Sequence, residues 1–445
     1  MIKQLLSTQW HVRLQECKQI LVGFSGGLDS CVLLHLLASS SHLHSKILAV
    51  HINHGLSPNA ARWQQHCQQV CLNLKVPIKT FAVEFDKTAN IEEGARKARY
   101  AVFSSLLQTN DALVLAHHQD DQAETVLLQL FRGAGIDGLA AMSETKAFAG
   151  ANLFRPLLNY SRLDLEEYAA VQGLQWIEDE SNDSDMYSRN YIRKHILPLV
   201  IKQWPGAVAN VARAALNCQQ AKANLEALAV VDCPELASPQ HVLGLVPTYV
   251  VGAVETLNTH PLKNLDPDRI SNILRLWLKQ NQLQAPSQAL IQGIINEVLF
   301  ARADATAVVT WSKIKVRRYQ NHLYLEKEDA VAVPDLLTWT DFPQALMYPT
   351  GIISATKAKT GLKITANMRI EIRFRVGGEE FQWHGLTKKL KKLMQDWGIP
   401  PWQREKIPLL YLDNQLAAVI GYAIADNFYS EEEGLTLWQI NSQAS

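Results

Sequence analysis

No stretch of this 445-residue chain stays apolar for the roughly 18 residues that a membrane helix requires, so no membrane span is expected. Cysteine is scarce and poorly spaced for metal or disulfide chemistry. The six thiols stand at 17, 31, 67, 71, 218 and 233 without a C-x-x-C pair, which speaks against a zinc ribbon and against a disulfide framework. They read as buried or free thiols. Net charge is lacking too: 43 basic side chains meet 43 acidic ones, so the overall balance points to no polyanionic partner. The first 18 residues lack the uninterrupted apolar segment of a signal peptide, because Lys3, His11, Arg13, Glu16 and Lys18 interrupt it. A cytoplasmic location is therefore the expectation. Internal repeats and low-complexity tracts are absent, which excludes solenoids and arrays.

The chain is longer than the roughly 250 to 300 residues that one core can serve, so several domains are expected. Residues 19–24 form a short apolar run followed by a glycine turn and a helical pattern through Val32, Leu33, Leu36 and Leu37. The strand-then-helix unit recurs, with strands at 46–53, 77–84 and 112–116 and helices at 58–74, 91–108 and 120–131. This alternation predicts an α/β fold over residues 1–205, a doubly wound parallel sheet covered on both faces. Ligands bind beyond the carboxyl ends of such strands, so the loops after Phe24, Asn53 and Ala116 should share one crevice. A mainly helical middle domain is expected over 206–326, helical through about 247–301 and with strands only at 311–325. A connector should follow at 327–354, and then a small α+β domain at 355–445 with a Lys-rich helix between its strands.

Ser25, Gly26, Gly27, Leu28, Asp29 and Ser30 link the first strand to the first helix of the sheet. Unpaired amides and the helix dipole favour an anion there, so phosphate binding is the natural use. The P-loop lysine of G-x-x-x-x-G-K-[ST] is missing, which excludes a Walker-type NTPase. Two glycines let the main chain wrap a phosphate, Ser25 and Ser30 add hydroxyl donors, and Asp29 offers a carboxylate to Mg2+. A tight turn with Asp29 capping the helix is the bland alternative.

Further along, Asp121 and Glu124 have the D-x-x-E spacing of a capping box. Beside His117 and His118 at a strand end they would also lie over the phosphate crevice, with Asp121 as a second Mg2+ contact and His117 nearby. Arg96 and Arg99 share a helix face at i, i+3 and suit phosphate oxygens, although a surface role explains them as well. His51 and His54 fit a core or a crevice equally. Two segments are basic within this neutral chain. Residues 186–213 hold Arg189, Arg193, Lys194, Lys202 and Arg213 without an acid, and residues 363–408 hold ten Lys or Arg against five acids. Each alone reads as a solvated face; together they favour a nucleic-acid partner.

The S-G-G-L-D-S loop in this context resembles the signature of the N-type ATP pyrophosphatases of the PP-loop superfamily. Further segments are similar to one member family, the tRNA(Ile)-lysidine synthetases. These segments are His51 to Ser57, Asn90 to Tyr100, Ala116 to Thr125, Arg132-Gly133, Ile177 to Asn182, Tyr187 to Arg193, Arg375 to Glu379, Lys388 to Lys392 and Pro400 to Arg404. The likeness spans nearly the whole chain and thins at about residues 220–350.

The resemblance implies ATP and Mg2+ as cofactors, with a CAU-anticodon isoleucine tRNA and free lysine as substrates. The wobble cytidine would be adenylated at its C2 oxygen, and lysine would displace AMP to give lysidine. It implies Asp29, Asp121, Arg96, Arg99 and His117 as catalytic residues, with Mg2+ at Asp29 and Asp121. The tRNA would lie on Arg189, Arg193, Lys194, Lys388, Lys391, Lys392 and Arg404, and the acidic stretch 178–185 could hold the lysine. A homodimer is compatible with this reading. Two alternatives stay open: a tRNA thiolase of the same superfamily, which the missing C-x-x-C disfavours, and a non-catalytic tRNA-binding protein that senses ATP. For the first, Cys67 and Cys71 lie at i, i+4, where Trp63, Val70 and Leu74 explain them as core.

Overall fold

The computed structural model describes residues 5–55, 59–85, 91–178, 188–237, 256–283, 286–302, 307–327, 336–349, 351–365 and 368–444. The chain divides into two compact units, Met1–Asn224 and Leu225–Ser445. In the first, α1 (Thr8–Gln15) precedes β1 (Ile20–Gly23), α2 (Leu28–Ala38), β2 (Ile47–Asn53), α3 (Ala60–Asn73), β3 (Ile78–Ala82), α4 (Ile91–Leu106), β4 (Ala112–Val114) and α5 (Gln119–Phe131). A short α6 (Ile136–Leu139) leads into β5 (Thr145–Phe148) and β6 (Ala151–Phe154). The unit then turns helical with α7 (Arg162–Gln172), α8 (Ser188–Tyr191), a π turn at Ile192–Ile196, α9 (Leu197–Gln203) and the part of α10 (Ala207–Asp232) up to Asn224.

The sheet order is β3-β2-β1-β4-β6-β5, parallel except for the antiparallel edge pair β5–β6. β1 and β4 are central and buried on both faces, which is why they read as unbroken apolar runs. Their side chains feed two cores. Ile20 and Val22 pack with Leu33, Leu34, Leu37 and Phe154, while Leu21 packs with Leu48, Phe103 and Leu113. The expected doubly wound sheet is therefore present, and the loops after β1, β2 and β4 all leave its carboxyl edge. The β5–β6 hairpin was not anticipated. Its turn is Ala149-Gly150, with φ of +51° and +75°, both in the left-handed region that tight hairpins demand. Ala in the first position hides that demand, since Asn or Asp is the usual signal.

In the second unit, β7 (Thr256–Asn258), α11 (Pro267–Gln280), α12 (Gln288–Gly293), β8 (Val308–Trp311), β9 (Ile314–Tyr319) and β10 (His322–Lys327) enclose one core. The expectation of helix through about 247–301 is corrected here: β7 pairs with β10 to complete a four-stranded sheet, and α11 starts only at Pro267, capped by Asp266.

The connector is a second correction. β11 (Leu336–Thr338) pairs with β15 (Ile370–Arg373), and β12 (Leu346–Tyr348) pairs with β13 (Gly351–Ala358), so among the described residues that segment contributes strands to the C-terminal sheets. Trp339 is buried there. The remaining elements are β14 (Gly361–Lys363), β16 (Glu380–Trp383), β17 (Leu386–Lys389), α13 (Leu390–Asp396), β18 (Leu409–Leu412), β19 (Gln415–Val419), β20 (Ala423–Ile424), β21 (Tyr429–Ser430) and β22 (Leu437–Ala444).

The Lys-rich helix is shorter than its spacing suggests. Lys388 lies on β17 opposite Phe381, and Leu386, expected on the buried face, is 61% exposed. Lys391 and Lys392 are on α13 and exposed, above buried Leu390 and Leu393. Arg404 is not a surface cation: it is 6% exposed, and its Nε–H donates to the Ile399 carbonyl at 2.9 Å.

Candidate active site

The loop after β1 is locked onto itself. Gly26 has φ +86°, and a Cβ there would stand 2.7 Å from Cys67 Sγ, so only glycine fits. Its N–H donates to Ser30 Oγ at 3.1 Å, and that hydroxyl donates onward to the Gly27 carbonyl at 3.0 Å. Ser30 is therefore a loop brace rather than a free phosphate donor, which corrects the expectation for it. Ser25 Oγ lies 3.1 Å from Ser30 Oγ and is exposed. Gly27 caps α2 without a side-chain bond, leaving the first-turn amides of Leu28, Asp29 and Ser30 with no intrahelical acceptor. Asp29 stands in that first turn rather than at the cap, so the capping alternative does not explain it.

Beneath the loop, His51 is bonded to the Phe24 carbonyl at 3.0 Å, and burial lowers its pKa against the pull of that carbonyl. It is a core histidine. Cys67 Sγ lies 3.4 Å from its Nδ1, and burial pushes the thiols of Cys31, Cys67 and Cys71 up to about 12. A buried thiol held in its protonated form is a poor nucleophile.

The loop after β4 supplies the second half. The cap of α5 is His118, and Asp121 accepts its backbone N–H at 3.0 Å, so the capping pair is His118 with Asp121 instead of Asp121 with Glu124. The imidazole of His118 stands among three carboxylates: Nε2 lies 3.6 Å from Asp29 Oδ2 and 3.5 Å from Asp121 Oδ2, and Nδ1 lies 3.5 Å from Asp120 Oδ2. Burial opposes its charge, but Asp121, Asp120 and Asp29 outweigh burial and raise its pKa to about 10. His118 is thus a fixed cation joining the phosphate loop to α5. Sequence reasoning passed over it in favour of His117, although a histidine one residue removed from a pair of aspartates, His118-Gln119-Asp120-Asp121, was the available signal. Asp120 is used structurally as well, accepting the Arg162 N–H at 2.8 Å at the start of α7.

Arg189 and Arg193, expected on an RNA-facing surface, are instead turned inward onto α5. Arg189 Nε–H donates to Glu124 Oε2 at 2.7 Å, and Arg193 Nε–H donates to Glu124 Oε1 at 2.6 Å. Their Nη2 groups reach Asp121 Oδ1 at 3.1 and 3.4 Å. Glu124 is 1% exposed, so this is a buried ion-pair network and not a solvated basic face. Burial opposes ionisation of Asp121, yet His118 and Arg189 hold its carboxyl well below the usual range. Both Asp121 oxygens accept hydrogen bonds, Oδ2 from the His118 N–H and Oδ1 from the two guanidinium groups. Lys194, on the same segment, is half-buried.

His117 faces away from His118, as neighbours on extended backbone must. Its Nδ1 accepts Arg155 Nε–H at 3.2 Å, and Arg155 also donates to the Ser143 carbonyl at 2.7 Å. Arg155, just past β6, was not anticipated, because only the sheet order places β6 beside β4. Arg96 lies over the Tyr100 ring at 4.8 Å, and both Arg96 and Arg99 are exposed on α4. The charges of Arg96 and Arg189 both bear on Arg99. His54 packs edge-on against Phe85. Of the acidic stretch, residues 179–187 lie outside the described residues.

The family model described as a PP-loop domain matches residues 2–200, the TilS substrate binding domain matches 257–324, and the TilS substrate C-terminal domain matches 370–441. A tRNA(Ile)-lysidine synthase of Legionella pneumophila (strain Lens) is 52% identical over 442 residues, covering 99% of both chains. The enzyme of the same name from Coxiella burnetii is 39% identical over 93% of this chain and 90% of its own. That of Escherichia coli O157:H7 is 36% identical over 96% of this chain and 97% of its own. With its PP-loop, its acid–histidine–acid bridge and relatives that match it from end to end, the chain belongs to the tRNA(Ile)-lysidine synthase family.

Proposed function

We propose that this chain converts the wobble cytidine of a CAU-anticodon isoleucine tRNA to lysidine with ATP and free lysine. The observation that carries the reading is the phosphate loop at the start of α2, where unpaired amides meet the Asp29 carboxylate. In the first step the cytidine C2 oxygen attacks the α-phosphorus of ATP, the bond to the β-phosphate oxygen breaks and pyrophosphate leaves. In the second, the neutral ε-amine of lysine attacks C2, the C2–O bond breaks, AMP leaves and the amine gives up a proton.

The amides of Leu28, Asp29 and Ser30 hold the phosphate chain, and Arg96 and Arg99 supply guanidinium groups for its oxygens. His118 fixes Asp29 and lends positive charge near the transferred phosphoryl group. For Mg2+, Asp29 is the more open of the two expected ligands: Asp29 Oδ1 is buried without a hydrogen-bond partner, whereas both Asp121 oxygens already accept hydrogen bonds. Among the described residues no group of three or more His, Cys, Asp or Glu could hold a metal. A single carboxylate suits Mg2+, which keeps waters and phosphate oxygens as its other ligands. When bound, it supplies charge neutralisation for the departing pyrophosphate.

Incubation with ATP, lysine and the CAU-anticodon tRNA, followed by mass spectrometry of anticodon fragments, tests the reading. Without lysine an AMP-bearing tRNA should accumulate, and added lysine should discharge it as AMP. Failure to trap AMP-bearing tRNA under any lysine-free condition overturns the two-step order, and sulfur in place of lysine on the cytidine overturns the activity.

The C-terminal lysines remain candidates for the tRNA backbone even though they span a strand and a helix. Neutralising Lys388, Lys391 and Lys392 together should weaken tRNA binding and flatten its log–log salt slope by about 0.7 to 0.9 per lost phosphate contact. ATP affinity should stay as it was. An unchanged salt slope would mark them as a solvated face.

A further inference from the structure

The bond between Arg155 and His117 determines more than a position. A guanidinium has five N–H donors and no acceptor, and it keeps its proton in proteins. His117 Nδ1, which lies 3.2 Å from Arg155 Nε, must therefore be the bare, accepting nitrogen, and a neutral ring then carries its hydrogen on Nε2. Arg155 is 4% exposed, and its Nη1–H is tied to the Ser143 carbonyl, so the donor is held in place. His117 itself is half-buried, and its Nε2 has no hydrogen-bond partner among the described residues. The surrounding charge is mostly positive, with Arg96 from α4, Arg189 from α8 and Arg155 itself acting on the ring against Asp121 from α5. Arg96 and Arg155 form no ion pair with a carboxylate among the described residues, which leaves this side of the crevice in need of an anion.

We infer that Arg155 is a positioning residue that locks His117 as a neutral Nε2–H donor, and that this donor meets a phosphate oxygen of ATP or of the bound tRNA during adenyl transfer. Burial first, and then the neighbouring guanidinium groups, lower the His117 pKa to about 3, in keeping with a ring that stays neutral throughout the working range. Two exclusions follow. His117 offers no lone pair to a metal ion, and it cannot serve as the base that deprotonates the lysine amine.

The role rests on the activity proposed above, but the tautomer does not, so the two are tested separately. In full-length protein with 15N-labelled histidine, the His117 ring, assigned by its loss in H117Q, should show protonated Nε2 and bare Nδ1 from about pH 5 to 9. Arg155→Met should let the ring populate both tautomers and move its pKa upward, while Arg155→Lys, which still donates, should restore the wild-type pattern. The other histidine signals report whether each variant is folded. An Nδ1-protonated or doubly protonated ring in the wild type at pH 7 overturns the lock.

For the role, Gln places an amide N–H where Nε2 was, whereas Asn reaches only the Nδ1 position. His117→Asn should slow adenylation by about 100- to 1,000-fold, as loss of one preorganised donor does, while His117→Gln stays within about tenfold of wild type. Equal losses in the two variants overturn the donor role. A raised KM for ATP assigns the phosphate to the nucleotide, and a raised KM for tRNA assigns it to the RNA backbone. Absence of lysidine formation by the wild-type chain would instead strike the proposed activity and leave the ring spectrum as evidence of its own.

Discussion

Asp29→Ala is expected to abolish tRNA-dependent pyrophosphate release while leaving the protein folded. The carboxylate stands in the first turn of α2 and makes no capping bond, so its loss should lower stability by only about 0.3 to 1 kcal/mol, the usual worth of an acid at a helix start. His118 loses one partner at 3.6 Å but keeps Asp120 and Asp121 at 3.5 Å each. Catalysis has no such reserve. Asp29 Oδ1 is the one buried carboxylate oxygen at this site without a hydrogen-bond partner among the described residues, and a cation left without it forgoes several kcal/mol of charge stabilisation, about 1,000-fold or more in rate. Asp29→Asn preserves the shape and removes the charge, and it should fail similarly. Pyrophosphate release near the wild-type rate in either variant removes Asp29 from the phosphate site.

Glu124→Gln should produce the largest loss of stability of any single change at the site. Glu124 accepts hydrogen bonds from both Arg189 and Arg193 while almost wholly buried, and without its charge two guanidinium groups are left to share Asp121. Breaking one member of a buried pair typically destabilises by about 3 to 5 kcal/mol. For a unit of this size each kcal/mol shifts the midpoint by about 2 to 4 °C, so melting of the first unit should fall by roughly 10 °C, with adenylation lost alongside. Glu166→Gln is the internal control. Its ion pair with Arg162 at 3.0 Å is exposed on both sides, and its removal should change stability by less than about 1 kcal/mol. Equal melting of the two variants would show that the Glu124 network contributes no more than a surface pair.

Local rules carried the reading of the sheet and its loop. β1 and β4 were legible because a strand buried on both faces must be apolar throughout, and the phosphate loop because adjacent glycines between a strand and a helix have few other uses. The family likeness also lay in contiguous residues, whose spacing survives without knowledge of the fold. Only the tertiary structure decided which way charges face. Arg189 and Arg193 look like a solvated basic run until Glu124, more than sixty residues earlier, is brought beneath them; burial then turns surface cations into a closed network. His117 and His118 are indistinguishable as neighbours, yet the place of β4 between β1 and β6 sends His118 to Asp29 and His117 to Arg155. Edge strands such as β5, β11 and β12 escaped because half-exposed, short segments carry little periodic signal, and their strand character comes from the partner that supplies the hydrogen bonds. A side chain's chemistry is set by its type, but its protonation, its partner and its access to substrate depend on groups distant in the chain, which reach it only when the sheet is assembled.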